Sequence, residues 1–184
     1  MKTSVVNLVI GFAILFAFES CQKQSQQESS VDIAERANDS TFTDREDEKD
    51  ADFVVSTVAR NYGDIKISQL AHNKSVDERI KAMATELQVT HTAFLKELKA
   101  YANANGMAVP LEEAEADSKS LSDLEEYTAH EFDKKWLSVM KDRHKTIARK
   151  MERKMDKTED PALKEWISKS LPVIQSELKK FEGE

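Results

Sequence analysis

The chain of 184 residues is poor in the residues that form disulfides and tight turns. It contains 1 cysteine, 4 glycines and 3 prolines. A single cysteine cannot form a disulfide within its own chain, so a disulfide-stabilised scaffold is excluded. So few glycines and prolines cannot supply a turn every 8–12 residues or so, which excludes a sandwich or barrel of short strands. Long helices need few turns, and we therefore expect an all-α protein with one folded domain plus appendages.

An excess of positive charge is also missing. Lysine and arginine total 27 against 34 aspartates and glutamates, and the formal net charge is −7. The phosphate backbone repels a net acid, so we expect no nucleic-acid partner. The sequence also lacks a Gly-x-Ser-x-Gly motif, a glycine-rich phosphate-binding loop and a Cys-x-x-Cys pair. We therefore predict no catalytic residues and favour a protein that is not an enzyme.

The start of the chain has the features of an export signal. Lys2 precedes residues 5–18, which are almost entirely apolar. A run of this length suits the hydrophobic core of a signal peptide and is too short to span a bilayer. The sequence therefore predicts a signal peptide over residues 1–20, directly before the only cysteine, Cys21.

The surroundings of Cys21 resemble the cleavage site of bacterial lipoproteins, in which a small residue precedes a cysteine that becomes the acylated N-terminus. Phe18 and Ser20 are looser versions of the usual residues at those positions. The alternatives are an ordinary secretory signal with an incidental cysteine, or an uncleaved anchor. We favour lipidation of Cys21, since each buried CH₂ contributes about 0.8 kcal/mol and several acyl chains hold a protein on a membrane. The expected location is the cell envelope, at the outer membrane.

Residues 21–50 are rich in Gln and Ser at first and then acidic. From residue 22 onward this stretch carries 9 acidic and 4 basic residues. Low hydrophobicity and like charge favour a disordered tether, and a tail that binds cations or basic partners is the alternative. The folded domain is expected to occupy residues 51–184.

Apolar residues at helical spacing predict four helices in this domain. Their approximate ranges are 51–72, 75–105, 120–156 and 160–181, with a break near Ala129 and a kink at Pro172. Ser75 and Glu78 form a capping box before the second helix, and Asp160-Pro161 marks the start of the fourth. Four amphipathic helices bury their apolar stripes against one another, so we expect an antiparallel four-helix bundle.

Five polar residues lie on or beside the apolar stripes. They are Asp64, His91, Asp133, His144 and Glu177. Inward-facing carboxylates and imidazoles hold metals in di-iron bundles, but those sites use Glu-x-x-His motifs, and no histidine here has Glu three residues before it. Asp133 and His144 are three turns apart, about 16 Å, and cannot share an ion. We therefore favour hydrogen-bonded groups that set helix register, such as an Asp–His pair, over a transition-metal site, and expect no cofactor.

The other charged features are expected at the surface. His72 lies at a helix end and His130 near the expected break, so both are expected to be exposed. The basic stretch 141–154 is expected to be a solvated helix face, and binding to an anionic surface is the alternative.

Several of these residues together resemble a family of exported bacterial proteins. The marks are Phe53, Asp64 with Leu70-Ala71, His91, Gly106 with Pro110, Phe132-Asp133, Met140, His144 and Leu171-Pro172. The family has unknown function and a ferritin-like four-helix fold, and its members are often labelled outer-membrane proteins. It usually has Glu where this chain has Asp64, Asp at Thr90, and often His at Glu177. The resemblance implies a fold and export, without an established activity.

The function expected from the sequence is that of a lipid-anchored envelope protein with a structural or partner-binding role. Its contacts would be the membrane, through the lipid anchor, and another envelope protein. The alternative is a metal-binding or stress-response protein that uses the five inward-facing polar residues. The sequence leaves the oligomeric state open.

Overall fold

The computed structural model describes residues 28–183, and every regular element in that range is an α-helix. The helices are α1 (Ser30–Thr41), α2 (Arg45–Lys74), α3 (Glu78–Ala104), α4 (Glu115–Glu125), α5 (Ala129–Lys157) and α6 (Pro161–Glu182). The expected all-α fold is thereby confirmed. None of these six helices combines the length and the apolar character needed to cross a membrane. The signal peptide predicted over residues 1–20 and the lipidated Cys21 lie outside the described residues.

Local capping explains where the long helices begin and end. The carboxylate of Asp160 accepts the N–H of Leu163, and Pro161 begins α6, as the sequence predicts. The capping box predicted at Ser75 is wrong, because the N-cap of α3 is Asp77, whose carboxylate accepts the N–H of Arg79. Ser75 instead ends α2, and its own N–H bonds to the carbonyl of Ala71.

The predicted break near Ala129 is confirmed, since α4 ends at Glu125 and α5 begins at Ala129. Helix α4 also begins inside the segment expected to be a connection, and it is attached to the core by the fully buried Leu124. Helix α6 continues through Pro172. The described part of the chain therefore has six helices where the sequence predicts four.

The prediction of a disordered tether over residues 21–50 is wrong for residues 30–41 and 45–50, which are helical. Helix α1 packs on α2, and its buried residues are Ala34 and Asn38. The Asn38 amide donates to the carbonyl of Ala108 at 2.9 Å and accepts the N–H of the same residue at 2.7 Å. Asp50 is also buried, and it accepts hydrogen bonds from Lys154 and Thr158. The contacts that hold this stretch against the rest of the protein are polar. Low hydrophobicity therefore does not indicate disorder here.

The long helices enclose two separate clusters of buried apolar side chains. One cluster is built around Ile67, Leu87, Phe132, Trp136, Met140 and Phe181. The other is built around Phe53, Val58, Phe94, Leu98, Ile147, Ile167 and Ile174. On each long helix buried polar residues separate the two clusters. His91 falls between Leu87 and Phe94 on α3, and the corresponding residues are Asn61 and Asp64 on α2, His144 on α5 and Glu177 on α6. A polar layer therefore crosses the interior.

Candidate metal centre

The centre of the polar layer is formed by His91 of α3, His144 of α5 and Glu177 of α6. All three side chains are buried, with exposed fractions of 2%, 0% and 4%. Nε2 of His144 lies 3.2 Å from Oε2 of Glu177, and Nε2 of His91 lies 3.6 Å from the same oxygen. One potential ligand atom from each residue lies within 4.8 Å of the other two. The three residues therefore have the spacing of a cluster that could hold one metal ion.

Hydrogen bonds on the far side of each imidazole set its orientation. Nδ1 of His144 lies 2.8 Å from the carbonyl oxygen of Met140, so this nitrogen carries the proton. Nδ1 of His91 lies 2.8 Å from Oδ1 of Asn61. The Asn61 amide nitrogen donates to the carbonyl of Thr57, so its oxygen is the atom that faces His91 and accepts. In the neutral form of both rings, the lone pairs of Nε2 are thus directed at Glu177.

This arrangement leaves two buried polar atoms without a hydrogen-bond partner. They are Nε2 of His91 and Oε1 of Glu177. A buried polar group without a partner is rare in folded proteins and costs about 1–3 kcal/mol. Two lone pairs that converge on a carboxylate repel one another unless a cation lies between them. A single proton on His144 would satisfy only the 3.2 Å contact, whereas a metal ion would satisfy all three residues.

A second group of charges surrounds the opposite side of His91. Asp64 of α2 is 1% exposed, and its Oδ2 lies 3.7 Å from Nδ1 of His91. Burial alone would raise the pKa of Asp64, but the guanidinium groups of Arg143 and Arg60 hold it well below its usual value. Arg143 also bonds to Asp117 of α4, which ties α4 to the polar layer. Asp64 is therefore ionised, is paired with Arg143 and Arg60, and lies on the Nδ1 side of His91.

The ionisation of Glu177 is favoured in a similar way. Burial raises the pKa of its carboxyl group, but the adjacent imidazoles of His144 and His91, in their protonated forms, outweigh burial and lower the pKa to about 2. Glu177 is therefore an anionic oxygen donor between two nitrogen donors. Imidazole and carboxylate ligands suit first-row divalent ions such as Zn²⁺ and Fe²⁺.

An aromatic ring packs against each of the two histidines. The ring of Phe181 lies 4.8 Å from that of His144, and the ring of Phe94 lies 5.9 Å from that of His91. The two imidazoles meet edge to face, with centroids 5.5 Å apart. These contacts limit the access of water, so a bound ion would be held in an enclosed site.

The structure brings together three of the five polar residues that the sequence places on or beside the stripes. Asp64 lies beside His91 but faces its Nδ1 edge, away from Glu177. Asp133 is half-buried and has no bond to either histidine within the described residues, so the proposed Asp–His pair with Asp133 is wrong. The acid that contacts His144 is Glu177. His72 and His130 are exposed, as expected.

Sequence reasoning missed two residues of the polar layer, Asn61 and Arg143. Arg143 was included in the basic stretch 141–154, although it precedes His144 and bonds to the buried Asp64. Asn61 lies one helical turn before Asp64 on α2, and this spacing was the available signal. Neither residue stands out by type, because both are common on exposed helix faces.

A family model matches residues 34–183, and its description is Domain of unknown function (DUF4142). The chain belongs to this family. No curated protein and no solved structure matches the chain. The DUF4142 match begins at Ala34, inside α1, so the family's domain includes most of that helix. It also includes every residue of the polar layer, and its description assigns no enzymatic activity.

Proposed function

We propose that this DUF4142 protein binds one divalent transition-metal ion between His91, His144 and Glu177. The observation that carries the proposal is the pair of unpartnered buried atoms, Nε2 of His91 and Oε1 of Glu177. Nε2 of His91 and Nε2 of His144 lie 3.6 and 3.2 Å from the other oxygen of Glu177, Oε2, and the ring proton of His144 is on Nδ1, towards the carbonyl of Met140. An ion between the three side chains would give each of these groups a partner.

Two of the three ligand separations suit a common ion, and all three ligand atoms lie within 4.8 Å of one another. Two ligands about 2.0–2.1 Å from one tetrahedral ion are about 3.3–3.4 Å apart. The nitrogen–oxygen separations of 3.2 and 3.6 Å lie on either side of that value. Both oxygens of Glu177 could bind, and three residues would then supply four donor atoms. Such a closed set of ligands is typical of ion retention more than of catalysis.

The charges of the polar layer also support a cation. Asp64, Asp117 and Glu177 carry three negative charges, and Arg60 and Arg143 carry two positive charges. With both histidines neutral the set has one uncompensated negative charge in a buried region, where charge is costly. A divalent ion would change the net charge of the set from −1 to +1, so the support is local: the cation would lie beside Glu177, the carboxylate that lacks an arginine partner.

We propose that the metal-binding domain works outside the cytoplasm as a lipid-anchored, non-enzymatic protein. Lipidation of Cys21 after removal of residues 1–20 would hold it in the cell envelope, and the outer membrane is the favoured location. The ferritin-like fold belongs to the same proposal and rests on the resemblance. A structural role with an envelope protein as partner was favoured from the sequence, and the buried cluster shifts the preference to the metal-binding alternative.

Elemental analysis tests the metal site directly. The protein is purified from its native host without a histidine tag, and bound metals are counted by mass spectrometry against protein concentration. We expect about one first-row transition-metal ion per chain. The same measurement is made on Glu177→Gln and on the matched control His130→Gln, which changes an exposed histidine.

The control should keep its metal and Glu177→Gln should lose most of it. If the unmodified protein contains far less than one ion per chain and does not take up Zn²⁺, Fe²⁺ or Mn²⁺, the proposal is wrong. The cluster is then a buried imidazolium–carboxylate pair. Mass spectrometry of the mature N-terminus tests the anchor separately, and an unmodified Cys21 would contradict it.

A further inference from the structure

A second candidate binding site lies at the surface between the first turns of α2 and the last turns of α5. It is a cavity of about 260 Å³ lined by Lys49, Asp52, Phe53, Lys150, Arg153, Lys154 and Lys157. This volume is slightly below the range of about 300–1,000 Å³ that is usual for small-molecule sites. The cavity therefore suits a small ligand or the headgroup of a larger one.

Helix geometry explains why so many cations share one cavity. Positions 150, 153, 154 and 157 follow the spacing i, i+3, i+4, i+7 and so lie on one face of α5. Phe53 forms an apolar floor opposite that face. The ammonium groups of Lys150 and Lys154 lie 5.9 and 6.0 Å from the centre of its ring. The basic stretch noted in the sequence thus continues into a concave surface.

Not all of the positive charge in the cavity is already neutralised. Lys49 pairs with Glu46, and Lys154 pairs with Asp50 at 2.6 Å. Within the described residues, the other three cations have no carboxylate at ion-pair distance; these are Lys150, Arg153 and Lys157. Asp52 is the only acid among the lining residues. Three unpaired cations against one acid leave a net positive site on a protein of net charge −7.

The surroundings of Lys150 also indicate that the cavity is positively charged. Burial lowers the pKa of its ammonium group, and the nearby charges of Arg60, Lys154 and Arg153 lower it further against the opposing effect of Asp52. Lys150 is therefore in a region of positive potential. Its ammonium group donates a hydrogen bond to the hydroxyl of Ser56, a neutral partner. An anion at this point would stabilise the protonated form of Lys150.

We propose that this cavity binds a phosphate group, supplied either by a phospholipid headgroup or by a free phosphate compound. The guanidinium of Arg153 would form paired hydrogen bonds to two phosphate oxygens, and Lys150 and Lys157 would contribute two further charges. Phe53 would contact the carbon atoms next to the phosphate. The site is independent of the metal centre and uses none of its ligands.

The test compares two double variants of the full chain in neutral-detergent micelles. Arg153→Gln with Lys157→Gln removes two exposed, unpaired cations from the cavity. Lys145→Gln with Arg149→Gln removes the same two residue types, at the same spacing, from exposed positions on α5 outside the cavity. Both pairs change the net charge equally and leave the buried residues in place. Isothermal titration calorimetry measures binding of inorganic pyrophosphate, or of micelles that contain phosphatidylglycerol, with phosphatidylcholine micelles as the neutral reference.

We expect saturable binding that is weakened about tenfold or more in the cavity variant and changes little in the matched control. A response to pyrophosphate identifies a free phosphate compound as the ligand, and a response to phosphatidylglycerol alone identifies a lipid headgroup. The proposal is overturned if neither probe binds. It is also overturned if both double variants weaken binding equally, because the effect would then be one of overall charge.

Discussion

Replacement of Glu177 by glutamine distinguishes a metal ion from a proton at the polar layer. The change keeps the size of the side chain and removes the only anionic ligand. In the metal-free protein, the new amide N–H₂ can donate to Nε2 of His144, which is now 3.2 Å from a carboxylate oxygen. The stability of the variant in a chelator should therefore lie within about 1 kcal/mol of the unmodified protein.

The expected effect of metal is larger. A ligand present at about 100 times its dissociation constant stabilises the folded state by about 2.7 kcal/mol. For a domain of about 150 residues this corresponds to a rise in melting temperature of about 5–11 °C, at about 2–4 °C per kcal/mol. The unmodified protein should show this rise with Zn²⁺, and Glu177→Gln should lose it. Scanning calorimetry with and without chelator measures both quantities, and His130→Gln is the control.

Two results would refute this reasoning. If Glu177→Gln shows the same rise as the unmodified protein, the metal binds at other residues. If the variant is destabilised by about 3–5 kcal/mol in chelator, the cluster holds a buried imidazolium that has lost its counter-ion. The second result would restore the structural role that the sequence favoured for these residues.

Three further predictions test the surroundings of the centre and the N-terminal helix. Asn61→Ala removes the acceptor that orients His91 and should weaken metal binding about 10–100-fold, as measured by competition with a chelating dye. Gly63→Ala places a Cβ atom 2.6 Å from Oδ2 and 2.9 Å from Cβ of Asp117 and should cost about 1–3 kcal/mol in chemical denaturation. If the clash is the cause, the double change with Asp117→Gly, which removes the whole side chain, should cost less than the sum of the two single changes. Asn38→Ala removes both bonds to the loop after α3, and limited proteolysis should then cut within α1 at protease concentrations that leave the unmodified chain intact.

The order of residues 30–50 could not be predicted from composition. This stretch is polar and acidic, and such a composition is typical of disorder. Its order depends on particular partners, of which Asn38 with Ala108 and Asp50 with Lys154 are examples 70 and 104 residues apart in the chain. Sequence patterns do not reveal pairs at such separations.

The sequence by itself determined the helical class of the protein and the approximate extent of its long helices, since a period of 3.6 residues and local capping groups are properties of each segment alone. It also placed His91 and His144 on inward-facing stripes and Glu177 beside one. Only the tertiary structure decided which of the five polar residues are in contact with one another. Contact between Glu177 and His144, 33 residues apart, depends on the axial register and rotation of α5 against α6. That register follows from how the two apolar clusters pack on either side of the polar layer, and it brings Glu177, and not Asp133, to the histidines.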